Sequence, residues 1–218
     1  MYAINHAATA LLLKKKFPTV KMIWLLIAVQ FIELLWVLFN YVGLEYFRVE
    51  HSVIHLGYLV WSHSILSTVV FAVLAWLILD KGLKKRTLGI AVGLGILSHI
   101  VLDLLMHEPD IALSPFSSEP VFGLNIQSTP LLAIIVETGY GIFCWWYFKG
   151  RKALLAAIVI LNLMNIPTMF NLAPGLSDLF GRIHFLLPTV ILAQILYTWF
   201  FVWQLSKEPI HATDGTSQ

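Results

Sequence analysis

Residues 98–110 of the chain read Ser98-His99-Ile100-Val101-Leu102-Asp103-Leu104-Leu105-Met106-His107-Glu108-Pro109-Asp110. This stretch begins inside an apolar run and ends at a proline, and the residue before a proline is disfavoured in a helix. His99, Asp103 and His107 recur every four residues, so a helix places all three side chains on one face. Ionisable side chains at membrane depth are costly and usually mark a functional site. The stretch therefore predicts a membrane-spanning helix with one polar face.

The composition of the whole chain is that of an integral membrane protein. Of its 218 residues, 59% are hydrophobic and 12% are charged, whereas soluble globular proteins have about 25% charged residues. Cys144 is the single cysteine, so no disulfide scaffold is expected. The net charge of +2 gives no indication of a nucleic-acid partner. The expected partners are the lipid bilayer and a substrate, which is a small molecule or a lipid.

Six apolar runs are long enough to span a bilayer, which takes about 20 mainly apolar residues. They lie near residues 21–44, 53–80, 86–107, 128–148, 151–173 and 184–206. The apolar segment 1–13 is too short to cross, so we interpret it as an interfacial or re-entrant half-helix, with a frayed end as the alternative. The sequence predicts an all-α, polytopic membrane helix bundle that forms one domain over 1–206. Residues 207–218 are predicted to be a flexible cytoplasmic tail.

The basic residues predict the orientation of this bundle. Of the 14 Lys and Arg residues, Arg48 and Arg182 alone fall on the outer side when the N-terminus is placed inside. Cytoplasmic loops carry an excess of basic residues. We therefore expect both ends of the chain to be cytoplasmic.

Residues 108–127 form the longest predicted connection between helices. They include Pro109, Pro115 and Pro120, and long irregular connections are usually functional or disordered. Because the segment is also rich in apolar side chains, we expect it to fold back as a lid or plug at the outer mouth of the bundle.

Several other helices carry ionisable residues at a depth similar to that of His99. Counted along the helices, Glu33, His63, His99 and Glu137 fall near the middle of the bilayer, and Asp103 and His107 lie above them. The sequence thus predicts a polar cup that opens outward and is lined by imidazole and carboxylate groups. These ligands suit a divalent metal, most of all Zn²⁺, with Mn²⁺ or Fe²⁺ as alternatives. Such a metal lowers the pKa of its bound water to about 7 and creates a nucleophile.

Several common enzyme signatures do not occur in the sequence. Gly-x-Ser-x-Gly is absent, which disfavours a serine hydrolase of that type. The Walker A, dinucleotide and His-Glu-x-x-His motifs are absent as well.

Two segments carry a family resemblance, Trp61-Ser62-His63-Ser64 and Ser98-His99-Ile100-Val101-Leu102-Asp103. They resemble the Thr/Ser-His-Ser and Ser-His-x-x-Leu-Asp motifs of the YdjM-like inner-membrane metal-dependent hydrolase family, and the resemblance extends over residues 1–148. In that family an N-terminal His and a Pro-Asp-x-Asp motif complete the set. His6 fits the first, whereas Glu33 stands where the second would be, without the proline or the second carboxylate. The resemblance implies that the protein lies in the inner membrane and that it has a metal site.

The leading hypothesis is a metal-dependent hydrolase that acts at the outer face on an ester or phosphoester, which includes lipid-derived ones. We predict His63, His99 and Asp103 as metal ligands, with His6 or His107 completing the ligand set. Glu33 or Glu137 would be the general base. His107 and Asp110 would lie at the rim of the cup and take part in catalysis there.

Two other classes of function use the same residues. The cluster could form the pathway of a metal-ion or proton-coupled transporter, since intramembrane carboxylates and histidines line such pathways. It could also hold a structural metal in a membrane scaffold, in which case all coordination positions would be filled by the protein.

Overall fold

The structure of the chain is a computed structural model that describes residues 1–50, 53–170 and 172–207. Residues 208–218, which belong to the predicted tail, lie outside the described residues, and so does His51 before the second predicted helix. Within them are eleven α-helices: α1 (Ala3–Lys16), α2 (Met22–Val29), α3 (Phe31–Tyr41), α4 (Val60–His63), α5 (Ile65–Leu77), α6 (Arg86–Met106), α7 (Pro130–Phe148), α8 (Lys152–Leu163), α9 (Ile166–Met169), α10 (Pro174–Arg182) and α11 (Leu186–Leu205). A π-helical segment, Ile78–Gly82, continues α5.

The predicted helical membrane bundle is confirmed. Among the described residues, five helical segments are long and apolar enough to cross a membrane: Ile65–Gly82, Arg86–Met106, Pro130–Phe148, Lys152–Met169 and Leu186–Leu205. The number rises to six if α2 and α3, which meet at an angle of 57°, form one broken span. The bend lies at Gln30, whose buried side chain donates to Ala3 O at 2.7 Å and accepts a hydrogen bond from Trp199 Nε1.

The predicted helix at 53–80 is wrong at its start. Residues Val53–Tyr58 form strand β2, which pairs antiparallel with β1 (Tyr46–Glu50), and Tyr46 lies opposite Tyr58. Short apolar runs do not distinguish strand from helix by hydrophobicity alone, and β-branched and aromatic residues favour the strand. The membrane-spanning helix therefore begins only at Ile65, where the Ser64 hydroxyl caps it by accepting from Ser67 N at 3.2 Å.

The connection at 108–127 folds back as predicted, but as a second hairpin instead of irregular chain. Strand β3 (Ile111–Ser114) pairs with β4 (Ser117–Phe122), and this hairpin packs on α4 and α5. Its ladder satisfies backbone groups that an irregular segment would leave unpaired. After β4 the chain returns to the end of α6, where Gly123 approaches so closely that a Cβ atom would lie 2.2 Å from Glu108 O.

Helix α1 lies inside the bundle, which excludes the frayed alternative for its described residues. Every residue from Ile4 to Leu11 is buried, and α1 packs against α2, α6, α7, α8 and α11. A helix that is mostly apolar on all sides is typically buried. Two of its buried polar side chains bond to other helices: Asn5 to Glu137 and Asn162, and Thr9 Oγ1 to the Tyr140 hydroxyl at 2.7 Å.

The basic ends of several helices meet on one side of the bundle, which we call the basic face. Lys15 Nζ donates to Tyr147 O, and Arg151 Nη2 donates to Leu205 O at 3.2 Å. Helix α6 runs antiparallel to α1, because His99 stacks on His6 near the start of α1 whereas the earlier Gly95 lies against Leu13 near its end. The N-terminus of α6 therefore lies at the same side as the lysines at the end of α1. This arrangement agrees with the charge asymmetry in the sequence, and the cytoplasmic position of both ends stays a prediction.

Candidate metal centre

Five ionisable side chains from four helices meet in one cluster, which we call the His–acid cluster: His6 of α1, Glu33 of α3, His63 of α4, and His99 and Asp103 of α6. Ligand atoms of His6, His99 and Asp103 lie within 4.8 Å of one another, as do those of Glu33, His63 and His99. The side chains are between 0 and 4% exposed, except for Glu33 at 22%. The sequence-predicted metal ligands are thus brought together in a buried position.

Four donor atoms of this cluster have the spacing of metal ligands. Asp103 Oδ2 lies 3.1 Å from His99 Nε2 and 3.8 Å from His63 Nε2. Glu33 Oε2 lies 3.6 Å from His99 Nε2 and 3.5 Å from His63 Nε2. In a tetrahedral zinc site with bonds of about 2.1 Å, neighbouring ligand atoms are about 3.4 Å apart. These distances are in the range of neighbouring metal ligands, and His99 belongs to both groups of three that could hold an ion.

A backbone carbonyl fixes the orientation of the His99 ring. His99 Nδ1 lies 2.9 Å from Val29 O, and a carbonyl oxygen only accepts, so Nδ1 carries the proton. In the neutral ring, the form that binds a metal, Nε2 then carries the lone pair, and this atom faces Asp103 and Glu33. Val29 is the last residue of α2, and carbonyls in the last turn of a helix lack a partner within that helix. The bend between α2 and α3 therefore makes this carbonyl available to His99.

A hydrogen-bonded chain of side chains, Glu45–Ser62–His63, orients the second imidazole. The Ser62 hydroxyl donates to Glu45 Oε2 at 2.6 Å and therefore accepts from His63 Nδ1 at 2.7 Å. Glu45 Oε1 also accepts from the backbone N–H groups of Trp61 and Ser62, at 2.9 and 2.7 Å. Burial raises the pKa of the Glu45 carboxyl, although its hydrogen bonds with Ser62 act in the opposite direction. Metal-binding histidines usually carry such a partner on their other nitrogen.

Sequence analysis missed Glu45. It lies 17 positions before Ser62 in the chain, in a different element, and no helical spacing connects the two. The first hairpin brings them together, because Tyr46 next to Glu45 pairs with Tyr58 shortly before α4.

Several polar atoms of the cluster have no hydrogen-bond partner in spite of their burial. They are both ring nitrogens of His6, His99 Nε2 and Asp103 Oδ2. Buried polar atoms are nearly always hydrogen-bonded, and exceptions often indicate an ion or a water at the site. Asp103 Oδ1 is different, because the Met1 amino nitrogen lies 2.7 Å from it. The donor set and its unpaired atoms fit a divalent metal.

The remaining predicted site residues surround the cluster without joining it. His107 Nδ1 lies 3.3 Å from Asp110 Oδ1, and the His107 ring stacks 6.4 Å from that of His63, at the end of α6. Glu137 accepts hydrogen bonds from Tyr2 N at 3.1 Å and from the Asn5 side chain. The Glu137 carboxylate thus lies at the positively polarised N-terminus of α1. Its contacts favour a role in positioning α1, and the catalytic roles of Glu137, His107 and Asp110 stay predictions.

The depth of the cluster differs from the expected mid-membrane position. The second span begins at Ile65 instead of residue 53 and extends about 24 Å from Ile65 to Lys81, so His63 lies just beyond its end. His99 lies about 20 Å and Asp103 about 26 Å along α6 from Arg86. In a hydrocarbon core of about 30 Å, the cluster therefore lies towards the side opposite the basic face, which we call the opposite face.

The sequence profile of the family described as YdjM inner membrane protein matches residues 6–173, a range that contains the whole His–acid cluster. Neither the curated proteins nor the solved structures contain a significant match to the chain.

Proposed function

Because the chain belongs to the YdjM inner membrane protein family and carries a buried His–acid cluster, we propose that it is an inner-membrane metal-dependent hydrolase. Its substrate is an ester or phosphoester that reaches the cluster from the opposite face, which is the outer face in the expected orientation. The observation that carries this proposal is that Asp103 Oδ2 and Glu33 Oε2 each lie 3.1 to 3.8 Å from both His63 Nε2 and His99 Nε2.

In this proposal His63, His99 and Asp103 are the metal ligands, with His6 adjacent to Asp103. Three protein ligands with a remaining open position are typical of catalytic zinc sites. When bound, a divalent metal supplies Lewis acidity and an activated water. Zinc fits these ligands best, and manganese or iron is compatible with them.

Glu33 is the best candidate for the general base. Its carboxylate lies within 3.6 Å of both imidazole Nε2 atoms, so it can accept a proton from a water at this point. It is also the most exposed member of the cluster, which leaves room for substrate beside it. The burial of His6, His63, His99 and Asp103 excludes bulk water from the other sides.

The transport alternative has less support. A tightly packed apolar core, which includes Ala7, Leu11, Leu25 and Leu26, lies along α1 and α2 between the cluster and the basic face. A pathway for ions requires polar access from both sides of the membrane. The scaffold alternative is disfavoured by the exposed edge of the cluster at Glu33.

Substituting Glu33→Gln is expected to separate metal binding from catalysis. The variant should retain most of its metal, because His63, His99 and Asp103 are unchanged, and should lose activity about 10²- to 10⁴-fold with its general base. The measurements are metal content by mass spectrometry and hydrolysis of p-nitrophenyl butyrate and p-nitrophenyl phosphate. Glu119→Gln, on the exposed second hairpin, is the matched control. A metal-free wild-type protein, or a fully active Glu33→Gln variant, would contradict the proposal.

Substituting Glu45→Gln or Ser62→Ala is expected to weaken metal binding about 10- to 100-fold, the usual effect of losing an outer partner of a metal ligand. Either change breaks the series of hydrogen bonds Glu45–Ser62–His63 that orients the His63 ring. Ser62→Thr keeps the hydroxyl and should restore affinity. Metal affinity is measured by competition with a chromophoric chelator. Equal metal affinities for Ser62→Ala and Ser62→Thr would show that the Ser62 hydroxyl does not orient His63 as a metal ligand.

A further inference from the structure

An apolar groove runs along the membrane-facing side of the bundle beside the cluster. Its volume is about 300 Å³, at the lower end of the range for ligand pockets, about 300–1,000 Å³. It lies between α3, which packs on α4 and α11, and α5, which packs on α6. Phe39, Leu44 and Trp61 line one end, and Leu66, Val70 and Phe71 line the other.

The walls of this groove belong to the elements that carry two cluster residues. Trp61 lies in α4, two positions before His63. At the other end, the Phe71 ring contacts Phe31 at 5.9 Å, and Phe31 precedes Glu33 by two positions in α3. The groove is therefore bounded by the helices that carry His63 and Glu33, and Glu33 is the cluster member with measurable exposure.

The direction of the groove matches that of a lipid chain in a bilayer. Its α5 wall, from Leu66 to Phe71, extends about 7.5 Å along the helix axis, a quarter of a hydrocarbon core of about 30 Å, and Trp61 of α4 precedes this wall in the chain. Its Trp61 end lies at the level of His63, towards the opposite face, and its Phe71 end points to the membrane centre. A phospholipid in the leaflet of the opposite face has the same orientation, with its ester and phosphoester groups outward and its acyl chains inward.

The chemistry of the groove suits an apolar occupant. Among the described residues that line it, none carries a charge, and Ser67 already shares a hydrogen bond of 2.8 Å with the Ser64 hydroxyl. Lipid tails are as apolar as the groove itself, so the hydrophobic effect gives little affinity inside a membrane. The groove can instead hold a chain in a fixed position relative to the cluster.

We propose that this groove binds one acyl chain of a membrane phospholipid and thereby positions the ester or phosphoester groups of that lipid at the His–acid cluster. The catalytic part of this inference rests on the proposed hydrolase function, whose substrate class it narrows to phospholipids of the opposite leaflet. In the hydrolysis, a water oxygen bonds to the carbonyl carbon or phosphorus and the bond to the alcohol oxygen breaks. The alcohol leaves with a proton, so one water is consumed for each bond cleaved.

The test uses the full chain in nanodiscs that contain phosphatidylethanolamine with a diazirine on one acyl chain. Photolabelling of the wild type should mark the groove segment, residues 61–71. Val70→Trp fills the groove and should abolish this labelling, and Leu66→Trp should do the same. Val69→Trp is the matched control, because Val69 is as exposed as Val70, at 41 and 43%, but does not line the groove.

The rates of hydrolysis give the second measurement. Val70→Trp is expected to lower the hydrolysis of long-chain phosphatidylethanolamine about 10- to 100-fold, the range expected from misplacing a substrate by about 1 Å. Hydrolysis of p-nitrophenyl butyrate and p-nitrophenyl phosphate should be unchanged. Release of fatty acid identifies the carboxylic ester as the bond cleaved, and release of diacylglycerol or phosphatidate identifies the phosphoester.

The outcomes separate the groove from the hydrolase. Labelling of the groove that persists in Val70→Trp, or that Val69→Trp abolishes equally, would overturn the acyl-chain site even if the small esters are hydrolysed. Loss of groove labelling in Val70→Trp alone would support the site even if no probe is hydrolysed, and the hydrolase proposal would then fail on its own.

Discussion

His99→Ala is expected to leave the purified protein without bound metal and to lower its hydrolytic rate by more than about 100-fold. His99 belongs to both groups of potential ligands, and its Nε2 lies 3.1 Å from Asp103 and 3.6 Å from Glu33. Loss of an outer partner of a metal ligand already costs about 10- to 100-fold, so loss of the ligand itself should cost more. Metal content per chain and the rate with p-nitrophenyl esters are the two measurements.

His184→Ala is the matched control for this substitution. His184 is an exposed histidine beside the start of α11, outside the cluster, so its loss should leave metal content and rate unchanged. A His99→Ala protein that retains the wild-type metal content would contradict the assignment of His99 as a ligand. Equal loss of metal in both variants would indicate a general effect on folding.

Gly141→Ala is expected to destabilise the bundle where α1, α7 and α8 meet. A Cβ atom at this position would lie 2.6 Å from Ile158 Cγ2 and 2.8 Å from Asn5 Oδ1, closer than such atoms approach one another. Overpacking of this kind costs about 1–3 kcal/mol. The Asn5 side chain also bonds to Glu137 and Asn162, so the displacement should reach α1 and reduce metal content through His6.

Gly139→Ala in the same helix gives a direct comparison, because a Cβ atom there would have nothing within 4 Å. Alanine is the better helix former by about 1 kcal/mol, so this variant should be as stable as the wild type or slightly more stable. The midpoint of thermal unfolding in detergent, measured together with metal content, distinguishes the two. Similar midpoints for Gly141→Ala and Gly139→Ala would show that α7 moves away from α1 and α8 without cost.

Much of the candidate site follows from the sequence because its residues lie in apolar runs, where ionisable side chains are rare. The spacing of His99 and Asp103 within an apolar run predicts their shared face, and the structure has them 3.1 Å apart. His63 and Glu33 are ionisable side chains in apolar runs, which is rare enough to mark a site. The structure also brings His6 into the cluster, on a helix that the sequence describes only as re-entrant, interfacial or frayed.

The parts that could not be predicted depend on tertiary contacts of short elements. Glu45 reaches Ser62 only through the pairing of β1 and β2, and hydrophobicity alone does not distinguish these short strands from a helix. The contact of His99 with Val29 O depends on the bend at Gln30. The sequence has no proline or glycine there that would predict this bend. Glu137 has the sequence properties of a general base, whereas its partners are groups at the start of α1.

The bend at Gln30 sets a limit on stabilising this protein by design. A substitution that straightened α2 and α3 into one continuous span would complete the helical hydrogen bonds and raise the intrinsic helix stability. It would also occupy the Val29 carbonyl within the helix, and His99 would lose the acceptor that selects its tautomer. Variants selected for thermal stability alone would therefore tend to accumulate changes at this bend that reduce activity, the usual conflict between stability and function.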